Sequence, residues 1–106
     1  MRTLTESDAG NTVELKLGET IELVLPENPT AGFRWHVDRI DTTACTVLSD
    51  VFRPPAEATP GAGGVHVWKL KALRVAAECP VALSYRRAWE IGAPAKTFTS
   101  TLRIFA

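Results

Sequence analysis

The chain has 106 residues, with twelve Lys plus Arg against twelve Asp plus Glu and 45% hydrophobic content. That is the size and balance of one globular domain, residues 1–106, and leaves no room for a second independent core. A net charge of zero, without any block of like charges, excludes a general field for drawing in nucleic acid or an anionic membrane surface, so neither is an expected partner.

The N-terminal stretch is polar and holds no apolar run of signal-peptide length, so residues 1–11 read as a loosely ordered N-terminal segment. No stretch approaches the roughly 20 apolar residues of a membrane span. The expected location is cytoplasmic, with the periplasm or the outside as the alternative if a leader has been removed.

Val13, Leu15 and Leu17 alternate with Glu14 and Lys16, and after the turn signal Gly18-Glu19 the series Ile21, Leu23, Leu25 alternates with Glu22. This pattern predicts a β-hairpin, ended by Pro26. Residues 27–32 form a loop in which two prolines remove backbone donors and Gly32 permits positive φ. Phe33, Trp35 and Val37 resume as strand, and residues 45–52 form another. Residues 53–64, with three prolines and three glycines, form a long exposed loop.

Residues 65–73 return to strand. There Val65 and Val67 share one face and Trp68 and Leu70 the other, so the segment is either covered on both faces or broken by a bulge that switches phase. Val81, Leu83 and Tyr85, and then Phe98, Ser100, Leu102 and Ile104, mark two amphipathic strands. No segment makes a helix of ten or more residues; the Ala-rich stretch 72–77 is short and is stopped by Pro80. About seven strands joined by turn-rich loops predict an all-β, immunoglobulin-like antiparallel β-sandwich.

Little of this composition supports catalysis. Cys45 and Cys79 have no CxxC-type neighbours and read as small buried thiols rather than as a redox pair or metal knuckle. His36 and His66 lie mid-strand, far from either cysteine, and read as surface imidazoles, so neither a metal nor a cofactor is expected. No Gly-x-Ser-x-Gly elbow is present, and the run Gly61-Ala62-Gly63-Gly64 lacks the Lys-Ser/Thr and helix of a phosphate-binding loop. An enzyme is not expected.

Three loops are unusual: Asn28-Pro29-Thr30-Ala31-Gly32, Gly61-Ala62-Gly63-Gly64, and Arg86-Arg87-Ala88-Trp89. Loops two strands apart in a sandwich emerge at the same end, so these three can form one surface. Arg and Trp are enriched at binding hot spots, which singles out loop-borne Trp89 over Trp35 and Trp68, whose strand positions suit the core.

The motifs in these loops, Asn-Pro-Thr-Ala-Gly-Phe-Arg-Trp at 28–35, Gly-Ala-Gly-Gly at 61–64 and Arg-Ala-Trp at 87–89, resemble the signature of the chagasin family of papain-like cysteine peptidase inhibitors. The likeness covers nearly the whole chain, including Phe52-Arg53-Pro54-Pro55 and Leu83-Ser84-Tyr85 ahead of the second and third loops. Each motif alone is weak, but three in order at this spacing are specific. The resemblance implies an immunoglobulin-like fold and reversible, tight inhibition of cathepsin L-like enzymes by a monomer. It places Thr30, at the tip of a loop made of Asn28, Pro29, Thr30, Ala31 and Gly32, opposite the catalytic Cys and His. Pro60, Gly61, Ala62, Gly63 and Gly64 would lie along one side of the cleft, and Arg87, Ala88 and Trp89 along the other.

Three departures from the family pattern stand out. Ala31 replaces a common second Thr, Ala88 replaces a Pro between Arg and Trp, and Pro60 stands where a bulky apolar contact is frequent. Ala88 frees a backbone torsion that proline would hold. The competing reading is a non-inhibitory module that binds another protein or a glycan with the same loops.

Overall fold

The structure is a computed structural model of the whole chain, described here for residues 1–28, 32–55 and 63–106. Its described residues form eight strands: β1 (Arg2–Leu4), β2 (Thr12–Lys16), β3 (Thr20–Glu27), β4 (Phe33–Arg39), β5 (Cys45–Arg53), β6 (Gly64–Ala72), β7 (Ala76–Arg87) and β8 (Lys96–Phe105). Two four-stranded sheets, ordered β1-β3-β6-β5 and β2-β8-β7-β4, make up the sandwich. Most neighbours are antiparallel, but β1 runs parallel to β3 and β2 parallel to β8.

The expected β2–β3 hairpin does not form, because the two strands lie in opposite sheets. Leu17 N–H still donates to Phe105 O on β8, whereas Glu19 O already accepts from Ala72 N–H at the end of β6. Between them Gly18, at φ 86°, carries the chain across the edge of the sandwich. Alternation could not separate these outcomes, since either arrangement buries Val13, Leu15, Ile21 and Leu23 on one inward face.

Pro26 does not end β3, which continues to Glu27. The neighbour β1 pairs only with Ile21, Glu22 and Leu23, so the flank beside Pro26 is open to a residue without an N–H. Pro80 follows the same rule, sitting in β7 beyond the last β4 pair, Arg39 with Ala82. The N-terminal segment also differs from expectation. It supplies β1 and a 3-10 turn at Glu6–Asp8, and Leu4 is buried in the core.

β6 carries no phase switch. Its register with β3 is unbroken from Thr20–Lys71 to Glu27–Gly64, so Trp68, Leu70 and Ala72 point into the core together. Val67, on the other face, is buried between its in-register neighbours Val24 and Val51. The irregularity lies instead in β5, between Val47 and Ser49. Trp35, Phe98, Leu102 and Ile104 close the core from the second sheet, and Cys45 and Cys79 are buried in it as free thiols.

Candidate functional site

The turns β3–β4, β5–β6 and β7–β8 carry the three motifs, and the described residues at their stems are in contact. Of the predicted site residues, Pro29, Thr30, Ala31, Pro60, Gly61 and Ala62 lie outside the described residues. Asn28, Gly32, Gly63, Gly64, Arg87, Ala88 and Trp89 are brought to one end of the sandwich.

The first and third loops meet at Gly32. This residue has φ 82°, and a Cβ on it would run into the Trp89 indole, with ring atoms Cζ2 and Cζ3 at 3.0 and 3.2 Å. Glycine is therefore required twice, by the left-handed backbone and by the ring lying against it. Trp89 nevertheless remains 70% exposed. The edge of the indole's six-membered ring rests on Gly32 while most of the side chain is presented to solvent, so packing and contact are both available to it.

The first and second loops meet at Gly63, where a Cβ would stand 3.3 Å from the Glu27 carbonyl oxygen and 3.4 Å from Asn28 Cβ. Gly64 is more constrained. A side chain there would strike the Arg53 carbonyl oxygen and crowd Phe52 Cζ at 2.8 Å. A shallow depression between these stems is lined by Pro26, Glu27, Asn28, Gly63, Gly64, Tyr85 and Lys96.

An aromatic stack underlies the loops. Tyr85 on β7 lies 5.3 Å from Phe33 and 5.0 Å from Trp35, centroid to centroid. Its hydroxyl accepts the Asn28 N–H at 2.9 Å, pinning the start of the first loop to the opposite sheet. The Arg87 guanidinium sits 4.5 Å above the Phe33 ring, and its Nη1 donates to Glu90 Oε1 at 2.7 Å. Arg87 is thus held by this chain's own groups; a partner carboxylate would have to compete with Glu90 or bind beside it.

Sequence reasoning missed the groups beneath the loops, chief among them Glu27, whose side chain is fully buried. Its Oε2 accepts the Trp35 N–H at 2.8 Å, and its Oε1 lies 3.0 Å from His66 Nδ1 and 3.9 Å from Arg34 Nη1. His66 Nε2 contacts Asp50 Oδ1. Neither histidine is the surface imidazole expected. His66 is mostly buried in this chain of charges, and His36 Nε2 is buried without a hydrogen-bond partner among the described residues. The sequence signal available was the alternation itself, since Glu27 continues the inward series Ile21, Leu23, Leu25.

These contacts show three loop stems presented together on a rigid end, with no nucleophile–base pair assembled by the described residues there. Residues 14–104 match the chagasin family peptidase inhibitor I42. The chain belongs to the chagasin family. It is 32% identical to amoebiasin-1 of Entamoeba histolytica over 103 residues, covering 95% of this chain and 97% of that one. The crystal structure of the cysteine protease inhibitor EhICP2, also from Entamoeba histolytica, superposes with a TM-score of 0.89 over 98% of this chain and 95% of that one at 24% identity. The structure of PbICP-C in complex with falcipain-2 does so with a TM-score of 0.77 over 99% and 100% of the two chains at 14% identity. Members of the chagasin family are peptidase inhibitors rather than enzymes, which suits a loop surface built from Gly, Pro and Trp.

Proposed function

We propose that this protein is a reversible, tight-binding inhibitor of papain-like cysteine peptidases that fills the active-site cleft with three loops at one end of its sandwich. The observation that carries the reading is the contact of all three loop stems, through Trp89 on Gly32 and Gly63 beside Glu27 and Asn28. Membership of the chagasin family supports it.

The physical logic is obstruction without cleavage. A loop that occupies the cleft but presents no peptide carbonyl to the thiolate in a near-attack geometry is not a substrate. In this reading residues 28–32 are the wedge, with Thr30 facing the catalytic Cys and His. Residues 60–64 and 87–89 rest on the two walls. Pro29 limits its own φ and biases Asn28 toward extended backbone, so little loop entropy is lost on binding. Three loops of this size can cover roughly 800 Å² per partner, the usual protease–inhibitor footprint.

Titration of papain and a cathepsin L-like enzyme with the protein tests the reading. Stoichiometric loss of activity that returns on dilution is expected. Full activity of several such enzymes at micromolar protein would overturn it.

A further inference from the structure

Beneath the wedge, four strands are joined by a chain of hydrogen-bonding side chains that the loop motifs do not include. We propose that Glu27 is a positioning residue of the inhibitory surface, acting with His66 and Asp50 as a clamp that holds the stems of the first two loops in one geometry. The proposal rests on the inhibitory reading above and assigns a role to residues outside the three loops.

β3 and β4 belong to different sheets, so no backbone ladder spans the base of the first loop. Two side-chain bonds do so instead. Glu27 Oε2, at the end of β3, accepts the Trp35 N–H of β4 at 2.8 Å, and the Trp35 indole N–H donates to Pro26 O at 2.8 Å. A fully buried carboxylate is costly unless it is paired, and here the pairing extends the clamp. Glu27 Oε1 lies 3.0 Å from His66 Nδ1 on β6, the strand that leaves the second loop. His66 Nε2 then contacts Asp50 on β5, the strand that enters it. The imidazole is held flat by stacking on Trp68, centroids 4.2 Å apart.

The chemistry of the clamp ties its two carboxylates together through one ring. Ionised carboxylates only accept hydrogen bonds, so one imidazole between two of them satisfies both only when both ring nitrogens carry hydrogen. Removing one ring proton turns a nitrogen lone pair toward a carboxylate. The charged groups placed around His66 are Glu27 from β3, Asp50 from β5 and, across Glu27, Arg34 from β4. The clamp therefore depends on both carboxylates, and replacing either by its amide leaves one ring nitrogen facing a weaker partner.

The test compares wild type with Glu27→Gln, Asp50→Asn and the double variant, each checked for folding by circular dichroism, using inhibition constants for papain at a single pH. Glu27→Gln is expected to bind about tenfold more weakly than wild type and Asp50→Asn several-fold more weakly, with the double variant losing clearly less than the two losses combined, because both act through His66. Both single variants folded and within twofold of wild type would overturn the clamp. If Glu27→Gln does not fold, Asp50→Asn decides alone, since its carboxylate is more than half exposed. If wild type does not inhibit papain, the inhibitory reading fails and nuclear magnetic resonance judges the clamp separately. The Trp35 amide should shift on Asp50→Asn, since the Asp50 side chain connects to it through His66 and Glu27; a Trp35 amide unmoved by that substitution would overturn it.

Discussion

Trp89 and Gly32 act as a pair. The indole lies where a Gly32 side chain would go, so Gly32→Ala must both strain a left-handed backbone and displace the ring. Trp89→Ala is expected to weaken inhibition by about 2 kcal/mol, roughly 30-fold, with the melting temperature little changed. Gly32→Ala should weaken it at least about tenfold, and the double variant should lose clearly less than the sum, because each change releases the same contact. A strictly additive cycle in inhibition constants would remove the coupling. The two thiols offer a separate check. Burial, reinforced by the neighbouring Cys79, pushes the Cys45 thiol up to about 11, and burial raises Cys79 as well. Native protein should therefore leave a thiol-reactive dye unreacted at neutral pH and yield two equivalents on unfolding.

β7 is the element on which the site depends, because it pairs with β4 on one side and β8 on the other and ends in the third loop. It delivers Tyr85 to the Asn28 N–H and Arg87 to the Phe33 ring. Tyr85→Phe removes the acceptor of one part-buried backbone bond and should cost about 1 kcal/mol of stability, read as a lower denaturation midpoint. Inhibition should weaken in parallel, since that bond fixes where the first loop leaves β3. The strands themselves were largely legible, because period-two alternation reports a buried face directly. Pairing was not. β2 and β3 show the same alternation whether they form a hairpin or face each other across the core, and the choice was made by hydrogen bonds to β8 and β6, both distant in sequence.

For the whole molecule, zero net charge implies association with little long-range steering. The association rate with a peptidase should change only a few-fold between about 0.05 and 0.5 M salt, measurable by stopped flow, with affinity set mainly by dissociation. A steep salt dependence would point to a local charged contact outweighing the balance. The elongated frame, 46 × 33 × 21 Å, places the stems of its three motif-bearing turns at one end and leaves the opposite end to the β2–β3 crossing at Gly18.

By itself the sequence determined the all-β class, the core positions of Trp35 and Trp68, and the three loop motifs. All are local properties, carried by alternation, by turn residues or by short contiguous strings. Only the tertiary structure decided that Trp89 rests on Gly32, that Tyr85 holds Asn28, and that Glu27, His66 and Asp50 meet beneath the loops. Those partners are separated by 57, 57, 39 and 16 residues. Their encounter depends on which sheet each strand joins and in what register, and no periodicity within a strand encodes that.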